Sequence, residues 1–145
     1  MPAESIFSIC SFAVVPGWLL LVIAPRWRWT QRVAAVALPV ALPLALAAVY
    51  LTLIVIHFGK TEGGFGSLAQ VAKLFANPYA LLAGWIHYLV FDLFIGSWEV
   101  RDSERLRIKH AFVVPCLVLT FLFGPAGLLM WFSIRTSVRG RAAIA

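Results

Sequence analysis

The sequence predicts an all-α integral membrane protein whose four helices form one bundle. Of the 145 residues, 62% are hydrophobic and 12% are charged, whereas soluble domains contain about 45–50% apolar and about 25% charged residues. The mean hydropathy is +0.92. Four apolar stretches are close to or above the roughly 20 residues that a helix needs to cross the hydrocarbon core. We therefore expect a single membrane domain over residues 1–145, with no sizeable soluble domain.

The first two spans are joined by a short basic loop. Span one covers about residues 5–24 and is followed by Arg26-Trp27-Arg28-Trp29. Alternating Arg and Trp residues are typical of the membrane interface, where the rings lie at headgroup depth and the cations reach water. Span two covers about residues 33–58 and contains Pro39 and Pro43, which membrane helices tolerate because neighbouring groups satisfy the freed carbonyls.

The last two spans are marked by helix start and break signals. Residues 67–75 suit a short interfacial helix. Asn77-Pro78 is predicted to start span three, over about residues 79–98, with Asn as the N-cap and Pro at the first helical position. Span four covers about residues 111–134, and the segment Gly124-Pro125-Ala126-Gly127 predicts a kink within it.

The basic residues indicate the orientation of the chain. The first and third loops contain seven Lys and Arg residues, against five in the second loop and the tail. Since cytoplasmic loops carry an excess of Lys and Arg, we expect both termini on the non-cytoplasmic side. The net charge of +6 suits membrane lipids with anionic headgroups. No basic face interleaved with aromatic residues predicts nucleic-acid binding.

Span three carries two ionisable residues, His87 and Asp92, in an otherwise apolar run. A charge at bilayer depth costs about 2.5–3.5 kcal/mol on insertion scales, so such groups usually face a bundle interior and are functional. At about 100° per residue, one aliphatic stripe is predicted to face lipid and the opposite arc to face the interior. The predicted lipid stripe is Leu82, Ile86, Leu89 and Leu93, and the predicted interior arc is Ala80, Gly84, His87, Tyr88, Phe91, Asp92, Ile95 and Glu99.

The spacing of His87 and Asp92 argues against a direct contact between them. Five residues correspond to about 140° of rotation and about 7.5 Å of rise. We therefore expect the two groups to flank one elongated cavity at different depths. The alternative is that each hydrogen-bonds a neighbouring helix and only stabilises the bundle.

A second polar cluster is predicted near the third loop. Its members are suited to metal binding or acid–base chemistry: Asp92, Glu99, Asp102 and His110. For Glu99 and Glu104, however, a solvated loop is the simpler interpretation.

The remaining titratable residues predict neither a metal nor a cofactor. His57, His87 and His110 fall at different membrane depths, so they do not converge on a metal or a haem. Cys10 and Cys116 lie within predicted spans and are interpreted as small buried hydrophobes. The sequence has no redox motif, phosphate loop or nucleophile elbow.

Several short segments, taken in their order and spacing, carry a family resemblance. They are Val22-Ile23-Ala24-Pro25 with Thr30 and Arg32, Ala72-Lys73-Leu74-Phe75, Trp85-Ile86-His87 followed by Asp92-Leu93-Phe94, Asp102, His110, and Phe123-Gly124-Pro125-Ala126-Gly127. In these segments the chain resembles the neoxanthin-synthesis membrane proteins of plants, the abscisic acid deficient four family, and their bacterial relatives.

The resemblance implies a four-helix membrane protein linked to carotenoid metabolism. In plants the family is needed to convert the di-epoxide violaxanthin into allenic neoxanthin, so the implied ligand is a carotenoid or another isoprenoid lipid. Met1-Pro2-Ala3-Glu4 has no positive n-region and no transit peptide precedes the first helix. We therefore expect a retained first helix and a bacterial inner-membrane location.

The implied reaction assigns roles to residues of span three. Opening an epoxide to an allenic alcohol needs an acid for the oxygen and a base for a vinylic proton. We assign Asp92 and His87 as the acid–base pair, with Tyr88 positioning the oxygen. Aromatic side chains suit the wall of a site for a long conjugated ligand, and the predicted substrate-binding residues are Trp85, Phe91, Trp98 and Gly84.

Three functions are compatible with the sequence. The first is a carotenoid- or isoprenoid-modifying enzyme, in the form of a cofactor-independent isomerase. The second is a non-catalytic carotenoid- or lipid-binding protein, or an accessory subunit of a pigment-modifying enzyme. The third is a proton or solute conduit that uses His87 and Asp92 as relay groups. Since four short helices leave little room for a pore, the third function would require a homo-oligomer.

Overall fold

The computed structural model describes residues 1–23 and 40–139, and all regular secondary structure in these ranges is helical. The helices are α1 (Ala3–Ile23), α2 (Leu42–His57), α3 (Leu68–Phe75), α4 (Pro78–Arg105), α5 (His110–Phe123) and α6 (Pro125–Arg139), with a 3-10 turn at Phe58–Lys60. The predicted all-α class is confirmed for this part of the chain. Residues 24–39, which include the Arg-Trp segment and the start of predicted span two, lie outside the described residues, as do residues 140–145.

Two helices, α1 with 21 residues and α4 with 28, are long and apolar enough to cross a membrane. Helices α2 and α5, with 16 and 14 residues, are apolar but shorter. A 14-residue helix is about 21 Å long, and the hydrocarbon core is about 30 Å thick. Helix α5 is followed directly by α6, and together they cover the predicted fourth span. The four-span bundle remains a prediction.

Helix α4 is the central helix, because it packs against α1, α2, α3, α5 and α6. Its aliphatic stripe is part of the hydrophobic core and at most 4% exposed: Leu82, Ile86, Leu89 and Leu93. The predicted lipid-facing role of this stripe was therefore wrong. The predicted interior arc is divided, because Asp92 and Glu99 are buried whereas His87 and Phe91 are exposed.

The error has a physical cause in the composition of α4. Both sides of the helix are rich in apolar side chains, and lipid tails are as apolar as leucine. An aliphatic stripe therefore packs equally well against lipid or against other helices. The side that faces inward depends on where α1 and α2 pack, which the periodicity of α4 alone does not reveal.

The start of α4 agrees with the sequence, but its end does not. The Asn77 side chain accepts hydrogen bonds from the backbone N–H groups of Tyr79 (2.9 Å) and Ala80 (3.3 Å), and Pro78 begins the helix as predicted. The helix then continues to Arg105, beyond the predicted end at residue 98. The added turns contain Asp102, which pairs with Arg105 and with Arg135 of α6, so tertiary contacts extend the helix.

A sharp break at Gly124 separates α5 from α6. Gly124 has φ +42°, a conformation that residues with a Cβ rarely adopt. Three residues later, a Cβ on Gly127 would collide with the Oγ1 and backbone N of Thr120 and lie 2.6 Å from the carbonyl oxygen of Cys116. The predicted kink thus divides the fourth span into two helices that fold closely against each other.

Candidate functional site

A row of buried polar side chains runs along one side of α4. Its members are the half-buried Tyr88 and the buried Asp92, Glu99 and Asp102. Tyr88 and Glu99 form hydrogen bonds with α5 and Asp102 with α6, while Asp92 lies against Gly124. The Tyr88 hydroxyl donates a hydrogen bond to the Phe121 carbonyl oxygen (2.9 Å). We call this set the polar row. It places titratable groups next to a core of almost entirely apolar side chains.

Asp92 carries a buried carboxyl group next to Tyr88. It is 9% exposed, and its Oδ2 atom has no hydrogen-bond partner among the described residues. The Tyr88 hydroxyl interacts with the Asp92 carboxyl group. On the other side, a Cβ on Gly124 would lie 2.9 Å from Oδ1 of Asp92. The break between α5 and α6 therefore provides the space that this carboxyl group occupies.

Glu99 is completely buried, with 0% exposure. Its Oε1 atom accepts a hydrogen bond from the Thr120 hydroxyl (3.0 Å), and Oε2 has no partner within the described ranges. The interpretation of Glu99 as a solvated loop residue was therefore wrong, because α4 extends past the predicted loop and α5 covers this side chain. Glu104, by contrast, is exposed as expected.

Asp102 forms the charged end of the polar row. Its carboxylate lies 2.9 Å from Nη2 of Arg105 and 3.1 Å from Nε of Arg135. It also accepts a hydrogen bond from Nε1 of Trp131 (3.2 Å). Asp102 and Arg135 are 4% and 1% exposed. Removing one partner of such a buried pair is costly, so we expect this group to fix α6 against α4.

An apolar groove lies between α1, α4 and α5, next to the polar row. It encloses about 480 Å³ and is lined by Ser11, Phe12, Val14, Val15, Trp85, Tyr88, Leu89, Phe121 and Leu122. Tyr88 lines the groove and also interacts with Asp92. Tyr88 therefore lies between the groove and the buried carboxyl group of Asp92.

The groove continues in both directions along α1. Towards the start of α1, an adjoining pocket shares Trp85 and reaches Ala3. Towards the end of α1, another shares Val15, Phe121 and Leu122 and reaches Ile23. The 21 residues of α1 correspond to about 30 Å of helix. We call these three neighbouring pockets along α1 the α1 groove, and their apolar walls suit an apolar ligand.

His87 and Phe91, two of the predicted site residues, lie away from the polar row. Both are exposed, and their rings contact each other at a tilt of 35° with centroids 4.6 Å apart. The His87 ring also lies near Tyr50 of α2, at 6.0 Å. His87 and Asp92 are therefore on different sides of α4, as their separation of about 140° implies.

The other predicted substrate-binding residues have three different environments. Trp85 lines the α1 groove and donates a hydrogen bond from Nε1 to the Ser11 hydroxyl (2.9 Å). Gly84 allows the close approach of α3, because a Cβ there would lie 2.9 Å from the Phe75 ring. Trp98 packs on Phe132 of α6, with ring centroids 5.7 Å apart.

The residues of the predicted acidic–histidine cluster, Asp92, Glu99, Asp102 and His110, are not gathered into a metal-binding group in the described part of the chain. His110 begins α5, and its Nε2 atom lies 3.0 Å from the carbonyl oxygen of Val22 in α1. Within residues 1–23 and 40–139, no three His, Cys, Asp or Glu side chains are grouped so as to hold a metal ion. Cys10 and Cys116 are free and buried, which confirms their interpretation as small core residues.

Comparison with known proteins identifies the family. The model of the family described as ABA DEFICIENT 4-like matches residues 5–131, which is most of the chain. The chain belongs to the ABA DEFICIENT 4-like family. The protein named ABA DEFICIENT 4, chloroplastic, from Arabidopsis thaliana is 27% identical over 149 residues, covering 96% of this chain and 64% of that relative. The chain thus spans less than two thirds of the plant protein. No solved structure matches it.

The family resemblance found in the sequence is therefore confirmed, but several residues of the site were missed. Thr120 and Trp131 were not singled out, and Arg135 was assigned to the tail. Each becomes important only because α6 folds back on α5 at Gly124 and brings them to α4. The signal available in the sequence was the Gly124–Gly127 break, which predicts a change of direction but not the contacts that follow from it.

The arrangement combines an apolar groove, with the hydroxyl groups of Ser11 and Tyr88 at its wall, and the buried carboxyl group of Asp92 next to Tyr88. Oδ2 of Asp92 is free of hydrogen bonds among the described residues, so it is available to give or to accept a proton. The Tyr88 hydroxyl lies at the groove wall, where it is placed to contact a polar atom of a bound ligand. Such a site is suited to moving protons on an otherwise apolar substrate.

Proposed function

We propose that the chain is a membrane-embedded protein of carotenoid metabolism that binds a carotenoid or a related isoprenoid in the α1 groove and isomerises it by acid–base chemistry. Membership of the ABA DEFICIENT 4-like family supports the link to neoxanthin synthesis. The observation that carries the site is Tyr88, which lines the groove and interacts with the buried Asp92 carboxyl group.

The dimensions of the groove support a long polyene as the ligand. The groove follows the length of α1, about 30 Å, and its walls are almost entirely apolar, with aromatic rings from Phe12, Trp85 and Phe121. Apolar and aromatic walls with few polar groups are typical of sites for hydrophobic ligands. The groove has room for an extended polyene, whereas a compact polar metabolite would find few hydrogen-bonding groups in its walls.

The reaction needs one proton to be delivered and one to be removed. When an epoxide becomes an allenic alcohol, a C–O bond breaks and the oxygen takes a proton from an acid. The base removes a vinylic proton, and the electrons of that C–H bond form the second double bond of the allene. Nothing is oxidised or reduced, so the balance requires only proton transfer.

We assign the acid–base pair to Tyr88 and Asp92 rather than to His87 and Asp92. Tyr88 and Asp92 are four residues apart and therefore lie on the same side of α4, where the Tyr88 hydroxyl influences the Asp92 carboxyl group. His87 is exposed on another side, near Tyr50 and Phe91. In this assignment the Tyr88 hydroxyl gives its proton to the epoxide oxygen, and Asp92 takes the vinylic proton from carbon. Asp92 then returns that proton to Tyr88, so the pair ends in its starting state.

A second function, binding without catalysis, is favoured by the small number of polar groups in the same groove. Only two side-chain hydroxyl groups, of Ser11 and Tyr88, lie among the groove residues between α1, α4 and α5. A non-catalytic carotenoid carrier, or an accessory subunit that presents pigment to a partner enzyme, would need no more than these walls.

Pigment analysis separates these functions. The chain is expressed in a host that makes violaxanthin, and extracted pigments are compared with those of the host alone and of a host with Asp92→Asn. A new isomer that the variant does not produce supports the isomerase. Purification of the chain with unchanged pigment supports the carrier. No pigment effect, with a pH-dependent flux in liposomes, would contradict both and favour the conduit.

A further inference from the structure

The two hydroxyl groups that line the groove between α1, α4 and α5 differ in their hydrogen bonds. The Tyr88 hydroxyl donates to the carbonyl oxygen of Phe121 (2.9 Å). The Ser11 hydroxyl accepts a hydrogen bond from Nε1 of Trp85 (2.9 Å), and its own O–H group has no acceptor among the described residues. Since a serine hydroxyl is a donor as well as an acceptor, Ser11 offers a hydrogen-bond donor to the groove.

Ser11 differs in this respect from other serines in the helices. A serine within a helix can donate to the carbonyl oxygen three or four residues before it, which satisfies the hydroxyl locally. Five serines of this chain do so: Ser8, Ser97, Ser103, Ser133 and Ser137. The corresponding acceptor for Ser11 is the carbonyl oxygen of Phe7, and that bond is not formed. The bond from Trp85 instead holds the Ser11 hydroxyl towards α4 and the groove.

The depth of Ser11 makes a donor without an acceptor unfavourable. Ser11 is eight residues from Ala3, where α1 begins, which corresponds to about 12 Å of helix. In the proposed membrane-embedded protein this level lies within the hydrocarbon core, where no water is present to accept the hydrogen bond. Polar groups in an apolar environment are unfavourable unless they are hydrogen-bonded. A ligand that brings an oxygen atom to Ser11 removes this cost.

Trp85 places Ser11 close to the proposed reacting position. The Trp85 ring stacks on the ring of Tyr88, with centroids 5.4 Å apart and an interplanar angle of 22°. The same indole donates its N–H to Ser11 and contacts Phe7 of α1 at 5.5 Å. Ser11 and Tyr88 are thus both direct neighbours of one side chain. Two hydroxyl groups held in this way are suited to two oxygen atoms at the same end of a ligand.

The walls on the two sides of this pair indicate the direction of the ligand. Towards the end of α1, the adjoining pocket is lined by aliphatic and aromatic side chains, among them Leu19, Val22 and Leu117. Towards the start of α1, the pocket that shares Trp85 includes Glu4. An apolar polyene is therefore better accommodated on the Val22 side, with its oxygenated end ring at Ser11 and Tyr88.

We propose that Ser11 is a specificity-determining residue, which donates a hydrogen bond to a second oxygen atom on the end ring that carries the epoxide. Trp85 is its positioning residue. This inference rests on the proposed function and names the substrate class of the same site: an epoxidised isoprenoid whose reacting ring also bears a hydroxyl group. Sites that hydrogen-bond a substrate hydroxyl discriminate against the analogue that lacks it, because that analogue leaves the Ser11 donor without a partner.

Binding of two matched pigments tests this assignment without any turnover. Violaxanthin and the di-epoxide of β-carotene have the same polyene and the same epoxide groups, but only violaxanthin has hydroxyl groups on its end rings. Quenching of tryptophan fluorescence in lipid nanodiscs gives a Kd for each pigment, and the ratio of the two Kd values defines the preference for violaxanthin. We expect Ser11→Ala to lower this preference about 3–10-fold, the usual contribution of one hydrogen bond between neutral groups.

Three further variants separate contact with the ligand from a structural role of Ser11. Ser8→Ala is the matched control, because the Ser8 hydroxyl bonds to the backbone of its own helix, and the preference should be unchanged. Ser11→Thr retains a hydroxyl and should keep most of the preference. Trp85→Phe removes the Nε1 donor, which frees the Ser11 hydroxyl to turn towards the Phe7 carbonyl oxygen, so the preference should fall.

The same measurements give the results that would overturn the inference. If Ser11→Ala weakens the binding of both pigments equally, Ser11 only holds α1 against α4 and does not contact the ligand hydroxyl. If it weakens neither, Ser11 has no part in binding. An unchanged preference in Trp85→Phe would contradict the positioning role of Trp85.

Turnover distinguishes failure of this inference from failure of the proposed function. The ratio of kcat/KM for the two pigments should change in Ser11→Ala as the ratio of Kd values does. Conversion of both pigments with an unaltered ratio in Ser11→Ala would contradict the role of Ser11 and leave the isomerase in place. A preference that depends on Ser11, without conversion of either pigment, would support the inference for a carrier and contradict the isomerase. Binding of neither pigment would overturn both.

Discussion

Gly124 is the residue on which the position of Asp92 depends. Its φ of +42° reverses the chain between α5 and α6, and the absence of a side chain leaves the space occupied by the Asp92 carboxyl group. Tyr88 lies on the other side of that carboxyl group. A glycine, a tyrosine and an aspartate from two helices thus form the smallest unit of the site.

Replacing Gly124 by Ala should therefore damage both stability and activity. The backbone conformation is strained for alanine by about 1–3 kcal/mol, and the added Cβ would press on Oδ1 of Asp92 at 2.9 Å. We expect a lower melting temperature in detergent and a lower rate of pigment conversion. Gly59→Ala is the matched control, since nothing lies within 4 Å of a Cβ there. Equal effects of the two changes would show that Gly124 has no special role.

Asp102 supplies a second prediction at the scale of single residues. Asp102→Asn keeps the size of the side chain but leaves the 1% exposed Arg135 without its buried carboxylate. Loss of one partner of a buried ion pair costs about 3–5 kcal/mol. Thermal unfolding should show a large drop in stability, whereas Glu104→Gln, an exposed site, should show little. A stable Asp102→Asn variant would mean that other contacts fix α6.

Among the helices, the relation of α1 to α4 determines the width of the groove. Gly96 of α4 accepts the ring of Trp18, and a Cβ at this position would lie 2.6 Å from the ring. Nearer the start of α4, Trp85 bonds to Ser11 of α1. The two tryptophans hold α1 in place from opposite helices, and the apolar groove lies along the contact that they define.

Gly96→Ala should push α1 away from α4. Overpacking of this kind costs about 1–3 kcal/mol, so the melting temperature should fall. Trp18→Phe removes part of the colliding ring, and in the Gly96→Ala background it should restore some of the lost stability. The double variant should then be less destabilised than the sum of the two single changes. Strict additivity would show that Trp18 and Gly96 do not interact.

At the same scale, the sequence was informative about helix ends and uninformative about helix faces. Asn77-Pro78 and Gly124 were predictable because caps and backbone conformation depend on local chemistry. The burial of the stripe that contains Ile86 was not, since an apolar helix has no preferred side until its partners are placed. The pairing of Glu99 with Thr120 depends on the fold-back of α5 and α6, which local chemistry does not determine.

At the scale of the whole molecule, the sequence predicted the family and the helical class but only part of the way in which the helices pack. The class, the family and the burial of the Asp92 carboxyl group were accessible from composition, motifs and the cost of intramembrane charge. The separation of His87 from Asp92 follows from the helix geometry, but the choice of Tyr88 as partner required the position of α5. The α1 groove is formed by three helices together, so no single segment predicts it.

The orientation of the chain in the membrane is a further prediction at this scale. With the N-terminus on the non-cytoplasmic side, the second loop faces outward and the third loop faces the cytoplasm. The end of α6 then lies on the cytoplasmic side too, because Arg135 returns to Asp102 next to the third loop, so the expected non-cytoplasmic C-terminus does not agree with the fold-back at Gly124. In spheroplasts of a bacterial host, a membrane-impermeant maleimide should label Glu62→Cys but not Glu104→Cys. Both positions are exposed, and the native Cys10 and Cys116 are buried. The reverse labelling pattern would invert the topology.

The central claim is that Asp92, next to Tyr88 at the groove, moves the protons of an isomerisation. The most direct measurement is the rate of violaxanthin conversion by the purified chain in liposomes, for wild type, Asp92→Asn and His87→Ala. We expect Asp92→Asn to lose about 10²–10⁴-fold in rate, the usual contribution of a general acid or base. His87→Ala should stay close to wild type. Full turnover by Asp92→Asn, or an equal loss in His87→Ala, would contradict the account.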